Sequence, residues 1–256
     1  MSFQSEEGAV ITQIKNAVAT ITFGHPASNS FPAPLLQKLT AELNSVSNRS
    51  DARIVILQSF GDSTFCAGAS FDELLKIKNS EQGTAFFSGF ANVINAMRTC
   101  NKLIVGRIHG KAVGGGVGLA SACDYVFAAK NASIKLSEIA IGIGPFVIEP
   151  AVSRKMGKNA MMQLTLNPTS WMSAQWATEN GLYSEIFEDI NQMDVAIDSF
   201  TNKLSQYNPN ALSEMKKVYW ENTDHWENLL LERASISGNL ILSAEAQKAL
   251  TALRKF

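Results

Sequence analysis

The chain has 256 residues and balances 22 Lys and Arg against 23 Asp and Glu, for a formal net charge of −1. That near-neutral balance supplies no positive field for nucleic acid or anionic lipid, so nucleic-acid and membrane-surface roles are disfavoured. An apolar fraction of 46% suits a protein with a real core, and the most apolar stretch, 112–129, is broken by Asp124 and rich in Gly and Ala, which makes a poor membrane span.

The first seven residues are polar and acidic, without the basic start and apolar run of an export signal. Cys66, Cys100 and Cys123 form no CxxC pair, and the three histidines are scattered. These features predict no metal site and reduced thiols in a cytoplasmic compartment.

In chain order, residues 10–14 and 18–23 alternate apolar and polar side chains around Lys15 and Asn16, predicting an antiparallel hairpin. Pro34 followed by Leu35, Leu36, Leu39, Leu43 and Val46 predicts a helix with one apolar face. The run Ile54-Val55-Ile56-Leu57 reads as a strand buried on both faces. Helices are expected over 71–77 and 81–98, a strand over 103–108, a short helix body over 119–123 and another strand over 125–129. From 147 onward the reading is almost wholly helical. With no low-complexity linker and no strict repeat, one α/β domain with a helical tail is the simplest account.

Two turns carry the chemistry. Thr64-Phe65-Cys66-Ala67-Gly68-Ala69-Ser70 places small residues just before a helical stretch, where backbone amides can approach a ligand. His109-Gly110-Lys111-Ala112-Val113-Gly114-Gly115-Gly116-Val117-Gly118 places three consecutive glycines where a strand gives way to a helix, whose amino terminus offers unpaired N–H donors. Together the turns can present two donors to one carbonyl oxygen that becomes negative during reaction. The glycines serve equally well for close helix–strand packing, and neither turn matches the spacing of a nucleotide loop.

Read together, FCAGAS, HGKAVGGGVGLASACD and LSEIAIGIGP, in that order, resemble the crotonase superfamily, the enoyl-CoA hydratase/isomerase family. The resemblance starts at the 18–23 strand with His25-Pro26 and Asn29, runs through Trp176 to Leu182 and loosens in the tail. It implies an α/β spiral of β-β-α units over residues 1–200. The helical region, 201–256, would pack in the same domain or on a neighbouring subunit of a homotrimer or homohexamer. It also implies an acyl-CoA substrate, with coenzyme A arriving as part of the thioester and no permanently bound cofactor. The enolate oxygen would be held by the backbone N–H groups of Ala69 and Gly115, with Ala67, Gly68 and Gly114 contributing to thioester binding and Lys255 and Phe256 to the CoA moiety.

Glu138, in Leu136-Ser137-Glu138-Ile139, matches the family position of the proton-transferring carboxylate. Apolar neighbours would raise its proton affinity toward working pH. Typical hydratases of the family carry a second glutamate three positions after the glycine donor; here that position is Gly118. A shift of a double bond from the 3- to the 2-position needs only one base, so the resemblance leans toward an isomerase, and Gly142-Ile143-Gly144-Pro145-Phe146 leans the same way. Alternatives stay open: Glu149 as a second carboxylate in a hydratase for short or branched substrates such as methylglutaconyl-CoA, a non-catalytic acyl-CoA-binding protein, or another enolate reaction. Cys66, His109 and Asp124 read as structural residues. Trp171, Trp176, Met161 and Met162 read as core side chains before pocket ones.

Overall fold

The protein, described by a computed structural model over residues 7–253, begins with β1 (Ala9–Lys15) and β2 (Val18–Gly24), paired antiparallel down to Lys15 opposite Val18. Asn16 and Ala17 between them both have positive φ, 52° and 61°, the turn whose twist suits a two-residue hairpin. Helix α1 (Ala33–Ser47) carries Pro34 in its first turn and buries Leu35, Leu36, Leu39, Leu43 and Val46, the stripe its sequence predicts.

The chain then repeats one pattern, in which a strand enters a large sheet, a three-residue strand enters a small one, and a helix follows. The first unit is β3 (Ile54–Ser59), β4 (Thr64–Cys66), the one-turn α2 (Phe71–Leu74) and α3 (Ser80–Thr99). The second is β5 (Leu103–Ile108), β6 (Lys111–Val113) and α4 (Gly115–Ala122). The third is β7 (Tyr125–Ala129), β8 (Ser133–Lys135), a 3₁₀ turn (Glu138–Ile141) and α5 (Glu149–Leu166). First strands pair in parallel, β3 to β5 to β7, and so do second strands, β4 to β6 to β8. Each unit therefore sits one strand spacing, about 4.8 Å, from the last, which is what makes the chain a spiral.

Adding β9 (Met172–Ser173) and β10 (Glu185–Phe187), the sheets among the described residues run β1-β2-β3-β5-β7-β10 and β4-β6-β8-β9. The large sheet is covered on both faces, which explains the unbroken apolar run of β3. Val55 and Leu57 join the main core with α1 and α3, while Ile54 and Ile56 pack in a second cluster with Phe127 and with Met193 and Ile197 of α7 (Ile190–Leu204).

The helix expected over 71–77 stops at Leu74, and α4 begins at Gly115, ahead of the expected 119–123 body. Strands β9 and β10 interrupt the run read as helix from 147 on, which otherwise holds α6 (Ala174–Glu179), α7, α8 (Pro209–Tyr219), α9 (Trp226–Leu240) and α10 (Ala244–Leu253).

The last helices are built into the same core. Trp226 and Leu230 of α9 and Leu250 of α10 belong to the main buried cluster. Asp124, at the start of β7, accepts hydrogen bonds from the Ile104 amide at 2.7 Å, Trp220 Nε1 at 2.7 Å and Lys216 Nζ at 3.0 Å, tying α8 to the large sheet. Helix α9 crosses α3 backbone to backbone. A Cβ at Gly83 would stand 2.6 Å from the Gly238 carbonyl oxygen, and one at Gly238 would stand 2.4 Å from the Thr84 amide nitrogen. Arg254, Lys255 and Phe256 lie outside the described residues.

Because neither backbone at this crossing can yield to a side chain, Gly238→Val should lower the unfolding free energy by about 3 kcal/mol in urea titrations. Unchanged stability would mean that α9 does not pack on α3 in solution.

Candidate active site

The two turns meet because the small sheet lays β4 beside β6, so the loops that follow them leave the same edge. Their separation is set by glycine. Gly68 has φ +86°, and a Cβ there would lie 2.9 Å from the Val113 carbonyl oxygen and 3.5 Å from the Gly115 nitrogen. A Cβ at Gly116 would meet the Cys66 carbonyl oxygen at 2.6 Å, and one at Gly115 would sit 2.1 Å from the Phe90 ring of α3. At the contacts shorter than 3.0 Å a side chain would overlap its neighbour.

Both candidate amides are left over by the surrounding hydrogen bonds. Ala69 forms a parallel bridge with Phe31 in which the Phe31 amide donates to the Gly68 carbonyl and the Ser70 amide donates to the Phe31 carbonyl, so the Ala69 N–H stays out of the ladder. Gly115 opens α4, where a first-turn amide has no intrahelical acceptor and the helix dipole adds partial positive charge. The first turn is steadied by Asn29, whose Nδ2 donates to the Phe60 and Thr64 carbonyls, both at 2.8 Å, and whose Oδ1 accepts from the His25 amide at 3.1 Å.

Glu138 is brought to the same place from the third unit. It follows β8 and opens the 3₁₀ turn, which ends at Gly142 in the left-handed region (φ +77°) with α10 pressed against it: a Cβ at Gly142 would lie 2.8 Å from Ala246 Cα. A Cβ at Gly114 would come within 2.7 Å of Glu138 Oε1, so the carboxylate rests on the glycine beside the Gly115 donor. Although the residue as a whole is only half-buried, its Oε2 is closed off from solvent and lacks a hydrogen-bond partner. Burial pushes the Glu138 carboxyl up to about 7, against the smaller opposing pull of the Glu138 and Ser137 backbone amides.

These groups line a cavity of about 200 Å³ together with Phe71, Leu74, Phe87, Ile141, Phe146 and Val147. Ala67, Gly68, Ala69, Gly114, Gly115 and Glu138 all face it. Among the described residues that line it, Glu138 is the one titratable side chain, and the other polar side chains are the hydroxyls of Ser137 and Ser237.

The remaining candidates lie elsewhere. At Gly118 a Cβ would stand 2.4 Å from Ile148 Cγ2, so the space a second glutamate would need is filled. Glu149 is not a lining residue: its Oε1 accepts from the Ser153 hydroxyl at 2.6 Å, and its Oε2 stands 3.9 Å from Arg233 Nη1. Burial pushes the Cys66 thiol up to about 12, incompatible with a thiolate nucleophile. Burial, with Arg107 nearby, holds His109 down to about 4 and therefore neutral. Met161 is core and Trp176 packs against the core, as their spacing predicts. Met162 and Trp171 instead face solvent, with the Lys111 and Lys135 ammonium groups 5.3 and 4.5 Å from the Trp171 ring centroid. Among the described residues no group of three or more His, Cys, Asp or Glu is placed to hold a metal ion, and no helix is long and apolar enough to cross a membrane.

The sequence profile of the enoyl-CoA hydratase/isomerase family matches residues 13–253. The chain belongs to this family. It is 28% identical over 211 residues to a short-chain-enoyl-CoA hydratase of Clostridium acetobutylicum, covering 82% of this chain and 80% of that protein. It is 25% identical over 191 residues to a peroxisomal Delta(3,5)-Delta(2,4)-dienoyl-CoA isomerase of Arabidopsis thaliana, covering 69% and 67% respectively. The crystal structure of an enoyl-CoA hydratase from Bacillus halodurans superposes with a TM-score of 0.88 over 95% of this chain and 99% of that one, at 23% identity. The fold is thus the crotonase spiral, and the protein is an enzyme of a family whose relatives include both hydratases and isomerases.

A carboxyl raised from 4.5 to about 7 binds its proton more tightly folded than unfolded. Stability therefore falls as pH rises from about 4.5 to about 7, by an amount on the order of 3 kcal/mol, and stays lower above that window. Glu138→Gln should be more stable than the wild type at pH 8, with the gap closing toward pH 4 in denaturant titrations. A gap of constant size across that range would show that Glu138 is not perturbed.

Proposed function

We propose that this protein is an enoyl-CoA double-bond isomerase that converts 3-enoyl to 2-enoyl thioesters, with Glu138 as its single acid and base. What supports this reading is that, among the described residues, Glu138 is the only titratable side chain lining the cavity. The Glu138 carboxylate removes a proton from C2, and the released electron pair moves into the thioester to make an enolate, conjugated with the 3,4 double bond. The Ala69 and Gly115 amides donate to the enolate oxygen. The protonated Glu138 then returns its proton to C4, the double bond closes between C2 and C3, and the carbonyl re-forms. No atom is gained or lost, and the base ends as it began. A carboxyl near pH 7 suits both halves of this transfer, since it is neither a weak acceptor nor a weak donor at working pH.

Hydration asks for more. Attack of water at C3 and protonation at C2 are served by two carboxylates in hydratases that carry the pair, and here Ile148 fills the space beside Gly118 while Glu149 is turned to Ser153 and Arg233. Coenzyme A enters this reading as the carrier of the acyl group. Assembly into a homo-oligomer belongs to it as well, supported by the exposed apolar residues Met215, Val218 and Tyr219, spaced three and four apart on α8.

Steady-state kinetics on a 3-enoyl-CoA test this directly. Glu138→Gln should lower kcat by about 10³-fold, whereas Glu149→Gln should leave it unchanged. Equal loss in both variants would show that Glu149 shares the proton transfer, and hydration of a 2-enoyl-CoA with no turnover of the 3-enoyl-CoA would favour a two-carboxylate hydratase. Acyl-CoA binding without any turnover in the wild type would favour a binding protein that keeps the fold.

A further inference from the structure

The cavity has a direction, and α3 measures it. Gly83, Phe87 and Phe90 lie three and four residues apart, on one face of that helix. Phe90 is the ring against Gly115, and Gly83 is where the α9 backbone crosses. From residue 83 to residue 90 the helix rises about 10 Å. Ser237, next to Gly238, lines the cavity at the Gly83 level, so it stands roughly that distance along α3 from the Gly115 amide, with Phe87 between.

We infer that Ser237 is the end stop of the acyl site, limiting the length of an uncharged hydrocarbon chain. This rests on the reading of the cavity as the place where the thioester is activated. The stop is firm because of what stands behind it. Gly238 meets Gly83 and Thr84 backbone to backbone, so α9 has no room to retreat, and any bulk added at position 237 must enter the cavity. The character of the acyl group follows from the walls. Phe71, Leu74, Phe87, Ile141, Phe146 and Val147 offer a chain only apolar surface, and among the described residues no cation lines the space. Arg233, one turn earlier on α9, is not a lining residue and is paired with Glu149. A carboxylate at the far end of the acyl chain would be buried there beside a hydroxyl and without a counter-charge, at a heavy desolvation cost.

Calorimetric binding of saturated acyl-CoAs tests the end stop without any proton transfer, so it can fail independently of the isomerase reading. Butyryl-, hexanoyl-, octanoyl- and adipoyl-CoA are compared on the wild type, Ser237→Leu and Ser237→Thr, with thermal unfolding as a control on folding. Ser237→Leu should weaken octanoyl-CoA at least about tenfold while leaving butyryl-CoA nearly untouched, and Ser237→Thr should give a smaller shift of the same sign. The wild type should bind adipoyl-CoA at least about tenfold more weakly than hexanoyl-CoA. Equal effects at every length, no effect at any length, or adipoyl-CoA binding as tightly as hexanoyl-CoA overturns the inference, even if isomerase turnover is found. Absence of all acyl-CoA binding overturns both readings.

Discussion

The site depends on how closely two backbone segments can approach. Gly68 against Val113, Gly116 against Cys66, and Gly115 against Phe90 are contacts at which a Cβ would overlap its neighbour. The spiral supplies the opportunity by stacking β4 beside β6 in the small sheet, and the glycines let the loops that follow close to contact. Only then do the Ala69 and Gly115 amides face one cavity. Helix α4 makes the same point from its other sides: all eight of its residues are buried, and Gly and Ala let it be enclosed by α3, β4 and α5 together.

The electrostatics follow from that enclosure. A cavity walled by aromatic and aliphatic side chains does little for a charge, so the carboxylate admitted to it is held with a raised proton affinity. In the proposed mechanism the donors are fixed backbone dipoles, the Ala69 and Gly115 amides, which need not reorganise when negative charge develops on a thioester oxygen. The other groups that might have competed for the chemistry are used up in building the fold: Asp124 by Lys216 and Trp220, Glu149 by Ser153 and Arg233, and Cys66 by burial.

Local pattern made much of the fold legible. The α1 stripe and the hairpin follow from side-chain periodicity, and β3 from an unbroken apolar run, each spread over most of an element. Strands β4 and β6 were not legible, because three residues cannot display a period and both lie inside segments that read as turns. The site divides the same way. The glycine turns can be seen in the sequence, but the residues alone leave Glu138 open, and only the family resemblance singles it out. Phe90, Ile148 and Ser237 carry no signal in their own neighbourhoods; they matter through contacts with Gly115, Gly118 and the α3–α9 crossing, which only the folded chain brings together. Trp171 shows the reverse error of pattern reading, as an aromatic expected in the core that lies at the surface beside two lysines.

In the proposed reaction one carboxylate moves one proton between two carbons of the same acyl chain. Turnover of 3-hexenoyl-CoA in deuterated water, followed by mass spectrometry and by the position of the double bond, tests it most directly. The account predicts a 2-hexenoyl product with no added water, formed only while Glu138 is intact, and carrying solvent deuterium at C4 to the extent that the carboxyl exchanges its proton before returning it. No shift of the double bond in 3-hexenoyl-CoA, with 2-hexenoyl-CoA instead converted to a product heavier by one water, would contradict it.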